Sequence, residues 1–197
     1  MSPAGRALRR SFYARPSTEV APELLNKLLV CGHRAVRIVE VEAYEGRYDP
    51  ASHAYRGQTA RNATMFGPSG RLYVYFTYGM HWCANVVCGD VGEATAVLLR
   101  AGAPVRGVAA MRIDRPAARR DRDLCSGPAK LCQALGIDRT HDGADLRSGD
   151  RGVRLLDDGT APPEVPTCTT RVGIRVATDR PWRWFVPGDP NVSRGPS

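Results

Sequence analysis

Lysine is almost absent from this chain of 197 residues: Lys27 and Lys130 are the only two. Arginine carries nearly all of the positive charge, and 28 Lys+Arg against 20 Asp+Glu leave a net charge of +8. The planar guanidinium group suits bidentate contacts with phosphates and base edges better than an ammonium group does. The composition therefore favours a polyanionic partner, although a GC-rich genome would enrich arginine in the same way.

The chain also lacks the patterns of membrane, secreted and metal-binding proteins. No apolar run is long enough for a signal peptide or a membrane-spanning helix. The cysteines show no C-x-x-C or C-x-x-H spacing, and His53, His81 and His141 are scattered, so we expect no metal and no other cofactor. Most cysteines stand in apolar runs, which favours buried free thiols in a reducing cytosol. We expect a cytoplasmic protein that contacts no membrane.

No internal repeat and no break in composition divides residues 1–197, which predicts a single domain. The basic segment 1–16 has no periodicity, and we expect residues 1–10 and 193–197 to be flexible. Segment 106–123 is rich in arginine and fits a solvated helix–loop or a phosphate-binding surface equally well.

The pattern of apolar residues and breakers predicts short helices and β-rich runs in alternation. It predicts a helix that Ser17 or Thr18 caps and Gly32 ends, then a strand from Arg37 and a hairpin over 71–88 with Tyr78 near its tip. A strand ending at Arg100, a helix over 126–136, and strands within 153–158 and 170–188 follow. These elements favour an α+β fold with a mostly antiparallel sheet.

The stretch Arg37–His53, RIVEVEAYEGRYDPASH, is the first candidate for chemistry. Alternate residues of a strand share a face, so Glu40, Glu42 and Tyr44 point one way. Two carboxylates beside an aromatic ring, with His53 just beyond, would suit a catalytic face. On spacing alone, an exposed sheet face with both glutamates paired to arginines is the better interpretation, because such faces are common.

Five motifs follow one another along the chain: VEAYEGRYDPASH, QTARNATMF, LYVYFTYGMHWCANV, AVLLRA and LCSGPAKLCQALGI. Because of these motifs, residues 11–192 resemble the alkyladenine (3-methyladenine) DNA glycosylase family, which favours the catalytic interpretation. The resemblance implies a curved antiparallel sheet with a protruding hairpin. It also implies a monomer that flips damaged purines out of double-stranded DNA and hydrolyses their N-glycosidic bonds. By this resemblance, Glu42 is the general base, Arg100 lies beside it, Tyr44, His53 and Tyr75 surround the flipped base, Asn85 forms a pocket wall, and Tyr78 intercalates at the hairpin tip.

The chemistry is consistent with these roles. Alkylation at N3 or N7 makes a purine cationic, so stacking between Tyr44 and Tyr75 gains a cation–π contribution of roughly 0.5–2 kcal/mol. A cationic base already leaves readily, and Glu42 needs mainly to position and deprotonate a water molecule. A side chain such as Asn85 at the minor-groove edge would collide with the exocyclic amine of guanine.

Contacts with the DNA backbone are expected from basic residues around this site. Arg56 and Arg61 follow His53 in a polar loop, and Lys130 lies in the predicted helix over 126–136. Two other functions stay open. A glycosylase–lyase needs an amine nucleophile, for which Lys130 is the only candidate near the site. A catalytically silent DNA-binding module would keep the fold without the chemistry. If Glu42 is the base, Glu40→Gln is expected to be a mild substitution.

Overall fold

The structure is a computed structural model that describes residues 5–77 and 79–193. Within these ranges the elements, in chain order, are β1 (Arg6–Ala7), α1 (Arg10–Tyr13), α2 (Ser17–Leu24), β2 (Leu28–Cys31), β3 (Arg34–Glu45), β4 (Leu72–Thr77), β5 (His81–Cys88), β6 (Thr95–Arg106), α3 (Val108–Asp114), α4 (Pro128–Leu135), β7 (Val153–Asp157), β8 (Thr167–Thr169) and β9 (Arg183–Phe185). No helix in the described ranges has the length and apolar character to cross a membrane.

Strand β3 is the centre of one curled antiparallel sheet. The strand order is β1–β7–β2–β3–β6–β5–β4. Strand β6 pairs along one edge of β3, while β2 and β9 follow each other along the opposite edge. Strand β8 extends the sheet beside β9. The single-domain α+β fold with a curved antiparallel sheet is therefore confirmed.

One face of this sheet carries the main hydrophobic core. Helix α2 packs against β3 and β6, and helix α4 packs against β5 and β6. Burying these apolar faces against each other removes them from water and provides most of the driving force for folding. The cluster includes Leu24, Val41, Val97, Leu99, Leu131 and Leu135, each at most 2% exposed. The opposite face is left for polar side chains near the middle of β3.

Helix α4 has the ends that its sequence predicts. Pro128 occupies the first turn, where its missing N–H costs no hydrogen bond. Gly127 before it has φ 139° and Gly136 after it has φ 73°, backbone conformations that favour glycine. The predicted hairpin is formed by β4 and β5, and the predicted strand after it is β6, which continues beyond Arg100 to Arg106.

The predicted helix between Ser17 and Gly32 is wrong in its second half. Helix α2 ends at Leu24, Asn26 has a positive φ of 66°, and Leu28–Cys31 form the buried strand β2. This strand pairs with β3 along one edge and β7 along the other, and all four of its residues are buried, so both of its faces are covered as well. A short continuous apolar run fits such a strand as well as it fits a helix, which is why the pattern misleads.

The expectations for the two ends of the chain and for 170–188 also need correction. Of residues 1–10, which we expected to be flexible, 1–4 lie outside the described residues, Arg6–Ala7 form β1 and Arg10 begins α1, whose last residue Tyr13 is fully buried. Most of 170–182 is an irregular loop with positive φ at Gly173 and Ala177, and only Arg183–Phe185 form a strand. At the other end, Ser193 is buried in the structure rather than lying in a free tail.

All six cysteines are free thiols, as expected. Five are buried, and Cys168 in β8 is exposed. The buried five are Cys31, Cys83, Cys88, Cys125 and Cys132.

Candidate active site

An irregularity in the pairing of β3 with β6 creates the polar face. The register runs from Ile38↔Gly102 to Glu40↔Ala101 and then to Val41↔Leu99, so it passes over Val39 on β3 and Arg100 on β6. One residue is skipped on each strand, so the register recovers, but the alternation of β3 is broken, because Ile38 and Val41 both belong to the core although they are three residues apart. Bulges of this kind re-aim side chains, often beside active sites.

Glu42 is fully buried on this face and has three polar partners. Tyr44 Oη donates to Glu42 Oε2 at 2.9 Å, and the backbone N–H of Val172 donates to Oε1 at 2.7 Å. Arg100 Nη1 lies 3.1 Å from the same Oε1. A carboxylate has about four acceptor positions, so one position of Glu42 is still open.

Glu40 is also fully buried, and it accepts four hydrogen bonds, three of them at one oxygen. Its Oε1 accepts from Arg100 Nε at 2.7 Å, Arg183 Nε at 2.8 Å and Ser193 Oγ at 2.8 Å. Its Oε2 accepts from the Ser193 backbone N–H at 2.7 Å. Burial acts to raise the pKa of Glu40, but Arg100, Arg183 and Ser193 outweigh it and lower the pKa.

The expectation of an exposed face for the two glutamates is therefore wrong, although both are paired to arginine. Strand β9 and the loop over 170–182 cover this part of β3, which a single strand pattern cannot reveal. Burial acts to lower the pKa of Arg100, while Glu42 and Glu40 outweigh it and raise that pKa, so the guanidinium stays charged.

In front of Glu42 lies a cavity of about 540 Å³, within the roughly 300–1,000 Å³ typical of small-ligand pockets. Its lining includes five of the predicted site residues: Tyr44, His53, Tyr75, Asn85 and Arg100. Glu42 itself stands directly behind the wall, because Tyr44, Arg100 and Val172 all line the cavity and all contact its carboxylate.

Aromatic rings form one side of the cavity. The rings of His53 and Tyr75 meet edge-to-face with centroids 4.4 Å apart, and Tyr73 stacks on Tyr75 at 5.5 Å. His53 Nδ1 lies 3.3 Å from Tyr73 Oη. Tyr73 is 1% exposed, which agrees with the packing role that is common for a tyrosine in a hairpin strand.

These surroundings keep the aromatic site residues uncharged near neutral pH. Desolvation, followed by the charge of Arg61, lowers the pKa of His53. Desolvation also raises the pKa of Tyr75 and, together with Glu42, the pKa of Tyr44. The phenol of Tyr44 therefore keeps its proton and donates it in the hydrogen bond to Glu42.

Asn85 lies on β5 and is 6% exposed. Its Nδ2 donates to the backbone carbonyl of Tyr73 at 3.3 Å across the β4–β5 pair, which fixes the amide at the cavity wall. Leu98 of β6 lies opposite Asn85 in the register and lines the same cavity.

The loop over 170–182 supplies residues that the sequence did not single out. The side chain of Arg171 is fully buried and forms an ion pair with Asp49, and its guanidinium lies 4.6 Å from the centroid of the Tyr44 ring. Arg171 Nη1 also donates to the carbonyl of Ala43 at 3.0 Å. This arrangement holds Tyr44 from the side away from the cavity. The segment that contains Arg171, RVGIRVATDR, is rich in arginine, and its alternation predicts a strand rather than a loop that supports the site.

The predicted backbone-contact residues lie outside the cavity lining. Arg56 and Lys130 are exposed, and Pro128 and Ala129, next to Lys130, line the cavity. Arg61 is exposed and donates from Nη2 to the carbonyl of Phe76 at 2.7 Å. Tyr78, the predicted intercalating residue, lies outside the described residues.

Neither of the two lysines is part of the cavity lining. Lys27 is buried and pairs with Asp157 at 3.0 Å, so neither it nor the exposed Lys130 reaches the cavity. Among residues 5–77 and 79–193, no three His, Cys, Asp or Glu side chains are grouped as metal ligands would be.

The structure thus combines a basic chain with an aromatic cavity that is backed by a carboxylate and an arginine, an arrangement that suits an enzyme acting on a flat ring. Comparison with known proteins identifies the family. The family model of methylpurine-DNA glycosylase (MPG) matches residues 11–190.

Three relatives carry the provisional name 3-methyladenine DNA glycosylase. The protein of Burkholderia lata is 58% identical over 190 residues, 96% of this chain and 92% of that protein. The protein of Rhodopseudomonas palustris strain HaA2 is 50% identical over 193 residues, covering 96% and 91%. The protein of Streptomyces avermitilis is 48% identical over 198 residues, covering 98% and 93%. The chain belongs to the methylpurine-DNA glycosylase family. It is a DNA glycosylase, a hydrolase of DNA repair.

Proposed function

We propose that this enzyme flips damaged purines out of duplex DNA and hydrolyses their N-glycosidic bonds with a water molecule activated by Glu42. The substrates are 3-methyladenine, 7-methylguanine, hypoxanthine and ethenoadenine, and the product is an abasic site. The names of the relatives support the first of these lesions. The open acceptor position of Glu42, directly behind an aromatic cavity, is the observation that carries the mechanism.

The cavity suits a flipped purine. Tyr44 and Tyr75 offer ring faces for stacking, and a cationic alkylated purine gains a cation–π contribution of roughly 0.5–2 kcal/mol that a neutral base does not. The neutral ring of His53 adds a third aromatic contact. Asn85, fixed by its hydrogen bond to Tyr73, excludes normal guanine by collision with the exocyclic amine.

Glu42 is the general base in this proposal. A water molecule at its open acceptor position gives a proton to the carboxylate while its oxygen attacks C1′, and the purine leaves with the bonding electrons. The carboxylate also faces the positive charge that develops on the sugar. Arg100 and the N–H of Val172 hold the carboxylate in one orientation during this step.

Tyr78 enters the minor groove and fills the space of the extruded nucleotide, whose unstacking costs a few kcal/mol and least for damaged bases. Arg56, Arg61 and Lys130 contact the DNA backbone near the cavity. Phosphate contacts of this type release counterions, so binding weakens as salt increases. The enzyme acts as a monomer.

A glycosylase assay on duplexes that each contain one lesion tests the proposal. We expect rapid release of the cationic lesions by the wild type, and a loss of about 100-fold or more with Glu42→Gln, because a general base contributes about 10²–10⁴-fold. Binding of lesion DNA should stay nearly unchanged. Glu45→Gln is the matched control on the same strand, since Glu45 accepts from Ser17 and Thr18 instead. Wild-type rates with Glu42→Gln would overturn the mechanism.

A further inference from the structure

We propose that Ser193, near the carboxyl end of the described chain, is a positioning residue of the active site that holds Arg100 against Glu42. Ser193 does not line the cavity and touches no substrate in this proposal. It acts through Glu40 and through a direct contact with Arg100. The inference rests on the proposed role of Glu42.

The guanidinium of Arg100 is held at three nitrogen atoms by three different residues. Its Nε donates to Glu40 at 2.7 Å, its Nη1 faces Glu42 at 3.1 Å, and its Nη2 donates to Ser193 Oγ at 3.3 Å. A planar guanidinium fixed at all three nitrogens has little freedom to rotate. None of the three partners is part of the cavity lining, but Glu42 stands directly behind it, whereas Glu40 and Ser193 reach the cavity only through Arg100.

Ser193 also determines where Glu40 lies. Its backbone N–H and its hydroxyl donate to different oxygens of the Glu40 carboxylate, at 2.7 and 2.8 Å. Arg183 closes the arrangement, because its Nε donates to Glu40 and its Nη2 donates to the Ser193 carbonyl at 3.3 Å. Glu40, Arg100, Arg183 and Ser193 are each at most 7% exposed, so water does not compete for these contacts.

The path of the chain after β9 brings Ser193 to this place. The N–H of Val186 donates to the Val39 carbonyl at 3.0 Å, which keeps the segment on β3. Asp189 then accepts from the N–H and Nδ2 of Asn191, both at 2.8 Å, and turns the chain back toward Glu40. The turn residues Asp189 and Asn191 are typical of such local side-chain caps.

The test measures single-turnover base release at saturating lesion DNA for Ser193→Ala, beside binding of a duplex with a stable abasic analogue. A hydrogen bond to a charged group contributes about 1.5–3 kcal/mol, so we expect a rate loss of ~10-fold or more with unchanged binding. Ser193→Thr keeps the hydroxyl and should recover most of the rate. Ser17→Ala is the matched control, because that buried hydroxyl contacts Glu45 and the backbone carbonyl of Tyr44 and not the Arg100 arrangement.

A double-mutant cycle separates positioning from general stability. If Ser193 acts through Glu40, then Ser193→Ala in a Glu40→Gln background adds much less than its own effect on the rate. A Ser193→Ala enzyme with a lower melting temperature and a wild-type rate would overturn the inference, as would fully additive rate losses. Glu42→Gln is measured in parallel. A full rate with Glu42→Gln refutes the proposed function, whereas a full rate with Ser193→Ala alone refutes only this inference.

Discussion

Glu40 and Glu42 stand two residues apart on β3, are both fully buried, and share Arg100, yet their surroundings differ in one decisive respect. Glu40 receives four hydrogen bonds, and of the residues that donate them only Arg100 lines the cavity. Glu42 has three partners among the described residues, and all three line the aromatic cavity. The proposed mechanism therefore gives Glu42 the chemical role and Glu40 a structural one, according to where their partners lie.

Arg100→Ala should break both halves of this comparison and have the largest effect. Removing the arginine leaves two buried carboxylates short of a partner, and breaking a buried pair typically costs about 3–5 kcal/mol. We expect a loss of this size in the free energy of unfolding, measured by urea denaturation, together with loss of base release. Arg112→Ala is the control, because Arg112 pairs with Asp121 on the exposed surface and should cost well under ~1 kcal/mol. Equal losses from the two variants would contradict the buried network.

Glu40→Gln should separate the two glutamates. The structure revises the expectation that this substitution is mild. Arg100, Arg183 and Ser193 all donate to the Glu40 carboxylate, and the NH₂ group of a glutamine would face one or more of these donors. We expect a loss of about 1–3 kcal/mol in the free energy of unfolding and a moderate loss of rate. Glu42→Gln should show the reverse, with the larger loss in rate. Denaturation and single-turnover assays on both variants check this, and identical profiles would refute the distinction.

Acid should give the smallest and most specific difference. The pKa of Glu40 in the folded protein is lowered from its usual value of 4.5, so in the interval between the two values the unfolded chain binds the proton that the folded chain does not. The stabilisation from Glu40 is therefore complete above pH 4.5 and is lost as pH falls through the lowered pKa. The stability difference between wild type and Glu40→Gln should shrink over this range. A difference that grows with acid would contradict the sign of the shift.

The parts of the site that a local pattern encodes were predictable. Alternation in VEVEAY placed Glu40, Glu42 and Tyr44 on one face, turn residues marked the hairpin, and Pro and Gly marked the ends of α4. These features depend on a few neighbouring residues and on backbone geometry. The choice between the two glutamates came instead from the resemblance to a family.

What the sequence did not reveal depends on contacts between distant segments. Val172 contacts Glu42 through its backbone N–H group, which every residue other than proline possesses, so its side chain carries no signal. Ser193 contacts Glu40 through its backbone N–H and its hydroxyl, but no local pattern links it to a strand so distant in the sequence. Arg171 was hidden in a run of arginines that resembles a charged strand. The burial of Glu40 required knowing that β9 pairs with β3, a partnership across more than a hundred residues of chain.

The buried cysteines have a consequence for the conditions in which this enzyme works. Methylated purines form where alkylating agents react with DNA, and the same agents attack thiolates. Burial raises the pKa of Cys31 to about 11 and that of Cys125 to about 12, and it also raises the pKa of Cys83 and Cys132. Because the thiolate is the reactive form, these side chains are inert near neutral pH. Five of the six thiols are thus shielded from alkylating agents in solution, and Cys168 is the one that stays accessible.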